Sequence, residues 1–247
     1  MIRTENLTKT YGGLTAVRDL NLDIAQGEFF AFLGPNGAGK TTTIKLLTGL
    51  LKPTSGRALI CGHDIHADPV EARRCISYVP DFPFLYDKLE PVEFMLLVGQ
   101  LYGMDRKTIL RESEELFDTF GLNATRSQMI ENLSHGTRQR VALAAGLLHH
   151  PRVLIIDEPM VGLDPRSARV VKDVLKKRSR AGTTIFLSTH ILHIAEELAD
   201  RIGILNQGQI IAIGTRDELR RKSGQDGALE DAFLSLTHND ADPVETR

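Results

Sequence analysis

Residues 34–42, with the sequence GPNGAGKTT, constrain the fold of this chain more than any other stretch. They fit the pattern G-x-x-x-x-G-K-[ST]. An apolar run, residues 29–33, precedes them, and residues 43–47 have the character of a helix start, so the predicted order is buried strand, glycine loop and helix. The alternative is a glycine turn that binds nothing, and the strand and helix on either side argue against it.

The spacing of this loop predicts phosphate binding. Gly34, Gly37 and Gly39 allow the backbone to turn its N–H groups inward, and the following helix N-terminus adds partial positive charge. Lys40 can reach the β- and γ-phosphates of a nucleotide, and the hydroxyl of Thr41 can bind Mg²⁺. We expect the whole stretch to surround the phosphates: Gly34, Pro35, Asn36, Gly37, Ala38, Gly39, Lys40, Thr41 and Thr42.

Two acidic residues follow another apolar run, residues 153–156. Ligands of parallel α/β sheets bind at the carboxyl edge of the strands, where Asp157 would lie near Mg²⁺. Glu158 could then act as general base on a water molecule. The alternative is an ordinary acidic turn. His190 follows the next strand, and its imidazole could hydrogen-bond a γ-phosphate or be an ordinary surface histidine.

Two further places could contact a nucleotide. Tyr11, beside a flexible glycine turn, could stack on a purine or be a half-buried surface aromatic. Ser134 and the backbone of Gly136 open a helix and could form a second anion site, which two subunits could lend to each other. Plain helix capping is the alternative. The pair His149 and His150 is expected to be a solvated helix end.

Composition narrows the function classes. The chain has 247 residues, is 42% hydrophobic and carries a net charge of −2, so we expect no binding to nucleic acid. Cys61 and Cys75 have no metal-ligand spacing and are expected to be small hydrophobes in a reducing compartment. We expect no signal peptide, and no apolar run approaches the roughly 18 residues of a membrane helix. A role at a membrane would need a partner that supplies the span.

The order of patterns predicts an α/β core interrupted by helices. Residues 1–86 and 151–222 are expected to form the core with an N-terminal antiparallel β subdomain. Residues 87–150 lack strand signals and are expected to form an inserted α-helical subdomain, with helices near residues 91–103, from Asp105 to Gly121, and from about Thr137. Residues 223–247 are expected to form a tail with a short helix.

Taken together, the chain resembles the nucleotide-binding subunit of an ATP-binding cassette (ABC) transporter, over about residues 2–220. Residues 34–42 look like the Walker A motif, and residues 153–158 look like Walker B, with Glu158 in the place of the catalytic glutamate. Residues 133–140 resemble the family signature and residues 162–165 the D-loop. His190 looks like the switch histidine, and Tyr11 like the aromatic residue that stacks on adenine.

The resemblance implies a P-loop NTPase (RecA-like) core and an ATPase subunit that powers a separate membrane permease from the cytoplasmic face. It also implies a head-to-tail dimer with two ATP molecules and Mg²⁺ between the copies, and catalytic roles for Lys40, Glu158 and His190. The stretch 229–234 resembles the tail helix of exporters for drugs, lipids and polysaccharides. The alternatives are a soluble ABC ATPase acting on ribosomes or nucleic acid, and a binding-only nucleotide switch.

This sequence departs from the family pattern in two places. The signature reads LSHGT instead of LSGGQ, so His135 and Thr137 replace Gly and Gln. Asp81 stands where the family has the Q-loop glutamine, and its carboxylate could reach Mg²⁺ directly or through water.

A groove between Asp81 and about Leu101 is expected, from the resemblance, to receive a coupling helix of the permease. The loop beside it supplies apolar side chains: Phe82, Phe84, Leu85 and Tyr86. The alternative is that these side chains pack into the core.

Overall fold

Two β-sheets form the framework of the computed structural model, which describes residues 1–222. The smaller sheet has the strand order β2-β1-β4-β5, and the larger has the order β10-β9-β3-β8-β7-β6. The strands are β1 (Ile2–Tyr11), β2 (Leu14–Ile24), β3 (Phe29–Leu33), β4 (Ser55–Ile60), β5 (His63–Asp64), β6 (Ile76–Val79), β7 (Val153–Asp157), β8 (Thr184–Thr189), β9 (Arg201–Asn206) and β10 (Gln209–Gly214). The helices are α1 (Lys40–Leu47), α2 (Pro69–Arg74), α3 (Pro91–Leu101), α4 (Arg106–Phe120), α5 (His135–Leu147), α6 (Pro165–Arg180), α7 (Leu192–Leu198) and α8 (Arg216–Lys222).

The larger sheet is parallel from β6 through β9, and β10 joins it antiparallel. Every residue of β3 and β7 is buried. Parallel strands are covered on both faces, which is why their sequences, FFAFL and VLIID, are apolar without alternation. Because β3 and β7 run in the same direction, the phosphate-binding loop and Glu158 follow them at the same edge of the sheet.

The two largest hydrophobic clusters lie on opposite faces of this sheet, and a smaller third one joins β3 and β9 to α7 and α8. Along β7, Leu154 and Ile156 face the helices α3–α6, whereas Val153 and Ile155 face α1 and the smaller sheet. Phe186 of β8 stacks with aromatic rings of β3 at centroid distances of 5.2–5.8 Å. Each such ring contributes about 1.5–3 kcal/mol by burial. The predicted fold class, an α/β P-loop NTPase with an antiparallel β subdomain, is confirmed.

The smaller sheet follows the alternation seen in the sequence. Leu20, Leu22 and Ile24 are buried and the residues between them are exposed. Strands β1 and β2 pair antiparallel from Ile2 and Ile24 to Tyr11 and Leu14, which agrees with the predicted antiparallel β subdomain.

Among the helices between β6 and β7, α4 begins and ends at the predicted cap residues. The carboxylate of Asp105 accepts a hydrogen bond from the backbone N–H of Thr108 at 3.0 Å, and Gly121 ends α4 with φ of 64°. Helix α5 begins earlier than the predicted Thr137, because Ser134 caps it by accepting from the Thr137 N–H. These helices share one hydrophobic cluster with the sheet. The division at residues 87 and 150 remains a prediction.

The expected solvated pair of histidines is correct for one member only. His150 is exposed and pairs with Glu112 at 3.0 Å. The imidazole of His149 stacks on the ring of Tyr102 at 3.5 Å with buried ring nitrogens. Burial lowers the pKa of His149 to about 4. The sequence prediction was wrong for His149 because its partner lies far away in the chain.

The described part of the chain ends with α8. The Thr215 hydroxyl accepts from the Glu218 N–H, and the Glu218 carboxylate accepts from the Thr215 N–H, so these two residues form a capping box at the start of α8. The predicted tail of residues 223–247, including the helix at 229–234, lies outside the described residues. Within residues 1–222, every helix is too short or too polar to cross a bilayer.

We expect Gly99→Ala to destabilise the chain, although alanine favours helices more than glycine does. A Cβ atom on Gly99 in α3 would lie 2.5 Å from Cγ1 of the buried Ile109 in α4. Overpacking of this kind costs about 1–3 kcal/mol of unfolding free energy, which urea denaturation measures. In an Ile109→Ala background the same substitution should cost little, and an equal loss in both backgrounds would contradict the clash.

Candidate active site

Packing and backbone conformation both require glycines in the phosphate-binding loop. A Cβ atom on Gly34 would lie 2.4 Å from the backbone oxygen of Leu205 in β9, and one on Gly39 would lie 2.4 Å from that of Ala16 in β2. Gly37 has φ of 81° and Gly39 has φ of 105°, in the left-handed region that favours glycine. The loop is therefore held closely by both sheets.

The loop presents a cluster of backbone donors. Within residues 1–222, five N–H groups at the start of α1 have no protein acceptor, namely those of Gly37, Gly39, Lys40, Thr41 and Thr42. Five such donors at a helix N-terminus suit the oxygens of a phosphate group. The ammonium of Lys40 donates to the backbone oxygens of Gly34 and Pro35 at 2.7 and 3.0 Å. Burial lowers the pKa of Lys40, and the carboxylates of Glu158 and Asp157 oppose this shift.

A hydrogen bond joins the two halves of the site. The Thr41 hydroxyl donates to Oδ2 of Asp157 at 3.3 Å, and Asp157 is only 5% exposed. Burial raises the pKa of Asp157, the charges of Glu158 and Asp81 add to the rise, and the hydroxyls of Ser188 and Thr41 oppose it. A buried carboxylate with a hydroxyl and further negative charge close by is a donor set that suits a hard divalent cation.

Asp81 lies on the surface at the end of β6. Its charge acts on Asp157 and on Tyr78, whose pKa is raised to about 12 mainly by burial. Among the described residues, no group of three or more His, Cys, Asp or Glu side chains could hold a metal. The structure thus brings Thr41 and Asp157 together, and Asp81 near them.

Glu158 is held by two side chains and a strained backbone. Nδ1 of His190 lies 2.7 Å from Oε1 of Glu158, and the Thr189 hydroxyl donates to Oε2 at 3.0 Å. The backbone of Glu158 has φ of 45°, and its N–H donates to the oxygen of Ser188. A non-glycine residue in the left-handed region costs about 1–3 kcal/mol and persists only where the surrounding structure holds it in place.

Thr189 was not predicted from the sequence. Its hydroxyl also accepts from the N–H of Ile191 at 3.1 Å, and the side chain is 2% exposed. The available signal was its position as the last residue of β8, directly before His190. A hydroxyl buried there has few possible partners other than residues at the end of the neighbouring strand β7.

The remaining predicted residues lie apart from the loop. Ser134 caps α5, and a Cβ atom on Gly136 would lie 3.4 Å from the backbone oxygen of Gly162. No hydrogen bond within residues 1–222 joins residues 134–136 to residues 34–42. Tyr11 is 47% exposed at the end of β1, with the Lys9 ammonium 5.2 Å from its ring centroid.

A phosphate-binding loop after one buried parallel strand, with Asp157 and Glu158 at the end of another, defines a P-loop nucleoside triphosphatase. The family model described as "ABC transporter" matches residues 17–161. The chain belongs to this family, and it is an ATP-binding and ATP-hydrolysing subunit of the ABC transporter type. The predicted family, ATP binding and ATPase activity are confirmed.

Similar proteins cover nearly the whole chain. The daunorubicin/doxorubicin resistance ATP-binding protein DrrA of Streptomyces peucetius is 39% identical, over 98% of this chain and 78% of that protein. The linearmycin resistance ATP-binding protein LnrL of Bacillus subtilis (strain 168) is 36% identical, over 96% and 80%.

Solved structures give the same result. An ATP-binding subunit of an ABC transporter superposes with a TM-score of 0.91 at 33% identity, covering 96% of this chain and 99% of that one. The dimeric post-hydrolysis state of the cassette MJ0796, bound to ADP and Pi, superposes with a TM-score of 0.80 at 28% identity, over 87% and 98%.

We expect Thr189→Val to lower kcat for ATP hydrolysis about ten- to hundredfold, because a hydrogen bond to a charged group is worth about 1.5–3 kcal/mol. KM for ATP should change little, because the Thr189 hydroxyl bonds to Glu158, whereas its contact with the phosphate-binding loop is made by its backbone oxygen, which accepts from the Gly34 N–H and is kept in valine. Thr189→Ser keeps the hydroxyl and should retain most of the rate. Steady-state phosphate release measures both variants, and wild-type turnover by Thr189→Val would show that the hydroxyl does not position Glu158.

Proposed function

We propose that two copies of this chain enclose two ATP molecules and that hydrolysis at this interface drives an integral membrane permease. The observation that carries the proposal is the convergence of Lys40, Thr41, Asp157 and Glu158 at one edge of the sheet. Residues 134–136 are not bonded to their own phosphate-binding loop, which supports their pairing with the loop of a second copy. The similar MJ0796 cassette is dimeric.

In this proposal the loop 34–42 binds the phosphates through its free N–H groups and Lys40. Thr41 and Asp157 would hold Mg²⁺, with Asp81 acting directly or through water. The ion, when bound, would offset the negative charge of the phosphate oxygens. Tyr11 would stack on the adenine ring.

Hydrolysis then depends on Glu158. Its carboxylate accepts a proton from the attacking water as a new P–O bond forms to the γ-phosphorus, and the bond to the β-phosphate oxygen breaks to give ADP and phosphate. His190 at 2.7 Å keeps the carboxylate oriented and can reach the γ-phosphate. The N-terminus of α5 from the other copy, with Ser134 and Gly136, would complete the enclosure of the phosphates.

The permease would dock on an apolar surface around the loop that follows β6. Phe82, Phe84 and Tyr86 are 63%, 84% and 63% exposed, which favours docking over core packing. They adjoin a cavity of about 340 Å³ between this loop and α3, lined by residues that include Pro83, Leu85, Phe94 and Leu101. A coupling helix of the permease with an apolar face would fit there.

The relatives suggest the class of cargo. DrrA and LnrL are named for resistance to antibiotics, and another relative is the bacitracin transport protein BcrA of Bacillus licheniformis. We therefore propose that the complex exports a drug-like or antibiotic molecule. The chain would sit peripherally on the cytoplasmic face of the membrane, held there by the permease.

We expect Glu158→Gln to lower phosphate release at least about a hundredfold, because it removes the general base. It should also trap an ATP-bound dimer, which size-exclusion chromatography with ATP and Mg²⁺ would detect. The control is Glu158→Gln combined with Lys40→Ala. This double variant should stay monomeric, because the phosphates lose the ammonium group of Lys40. A strictly monomeric Glu158→Gln protein in saturating ATP would contradict the proposed dimer.

We expect Phe84→Ser to weaken association with the permease while the isolated chain keeps its ATP hydrolysis rate. The measurement is co-purification, in detergent, with a multi-span protein encoded in a neighbouring reading frame. Leu50→Ser is the matched control. Leu50 is a large apolar side chain that is 65% exposed, as Phe84 is exposed, but it lies after α1 and outside the proposed docking surface. Equal loss of association in both variants would mean that the aromatic loop is not the docking surface.

A further inference from the structure

His135, one of the two departures in the signature, packs against the loop that follows Glu158. A Cβ atom placed on Gly162 would lie 2.6 Å from Cδ2 and 3.0 Å from Nε2 of the His135 ring. The imidazole therefore occupies the space that a side chain at position 162 would need. Gly162 has φ of 76°, so its conformation also favours glycine.

A second contact joins the same two segments. A Cβ atom on Gly136 would lie 3.4 Å from the backbone oxygen of Gly162 and 3.4 Å from Cδ2 of Leu163. The loop itself is compact, because the Val161 N–H donates to the backbone oxygen of Glu158 and the Leu163 N–H donates to the backbone oxygen of Met160. The first turn of α5 and the segment 158–163 thus lie directly against each other.

The ring of His135 also reaches the loop of residues 80–90 that follows β6, called the aromatic loop because it carries Phe82, Phe84 and Tyr86. Its centroid lies 6.2 Å from that of Phe82, at an interplanar angle of 37°, within the range of favourable aromatic pairs. The same loop is joined to the α5 region by ion pairs of Arg138 with Asp87 at 2.5 Å and of Lys88 with Glu131 at 2.6 Å. One imidazole therefore touches both the aromatic loop and the segment that carries the proposed general base.

The ring makes no hydrogen bond to residues 1–222. Its contribution to these contacts therefore comes from its volume and its flat face. A glycine at position 135 would remove the ring from Gly162, and the segment 158–163 would lose its van der Waals contacts with that ring.

We propose that His135 is a positioning residue that fixes the segment 158–163 against the start of α5, so that both reach a second copy of the chain in one geometry. The proposal rests on the ATP-enclosing dimer of the preceding section. Through Phe82, the same ring connects that geometry to the surface on which the permease docks.

A double-mutant cycle between His135→Gly and Gly162→Ala tests the contact. All variants are made in the Glu158→Gln background, and the dissociation constant of the ATP-bound dimer is measured by analytical ultracentrifugation. We expect His135→Gly to raise this constant about fivefold or more, and Gly162→Ala to raise it much more in the His135 background than in the His135→Gly background. Gly103→Ala is the matched control, because Gly103 has φ of 75° but nothing within 4 Å of a Cβ atom, so it reports backbone strain alone.

A rescue variant makes the test independent of whether Gly162→Ala folds. His135→Phe keeps a flat ring of similar size and should restore dimerisation, whereas the affinity of the monomer for a fluorescent ATP analogue should be the same in all His135 variants. Additive effects in the cycle, or a His135→Phe protein as weak as His135→Gly, would overturn this inference alone. A Glu158→Gln protein that never dimerises would instead overturn the proposed dimer, and with it this inference.

Discussion

The hydrogen bond between Thr41 and Asp157 connects the two parts of the chain that make up the candidate active site. Thr41 lies in the first turn of α1, and Asp157 is the last residue of β7, which is separated from β3 by β8 in the sheet. The bond is possible because β3, β7 and β8 run parallel and end at one edge. The buried carboxylate therefore lies next to the first turn of α1, where the free N–H groups are.

That arrangement carries a cost that the surrounding structure offsets. Asp157 is buried near two further carboxylates, which raises its pKa, and Glu158 adopts a left-handed backbone conformation. Unfavourable features of this kind persist only where the packing and hydrogen bonds of neighbouring residues hold them in place. Here the fully buried strands of the parallel sheet, and the clamp of Thr189 and His190 on Glu158, supply that constraint. The acidic half of the site is therefore carried by the ends of buried strands.

Local patterns were sufficient to predict much of this architecture, because each signal acts over a few residues. The glycine loop, the apolar strands and the cap at Asp105 are examples of features specified by neighbours in the sequence. Features that depend on distant partners were missed. The stacking of His149 on Tyr102 and the hydrogen bond from Thr189 to Glu158 join residues that no spacing rule relates.

Glycines in two segments of the site are constrained for different reasons. In the loop 34–42, Gly34 faces the backbone of β9 and Gly39 faces the backbone of β2, so the chain itself excludes side chains at these two positions. In the segment 158–163 the glycine faces the imidazole of His135, a side chain that the family pattern usually lacks. The first constraint belongs to phosphate binding and is fixed by backbone packing. The second is a fit between the side chain at position 135 and the backbone at position 162. The effect of a substitution at either position therefore depends on which residue stands at the other.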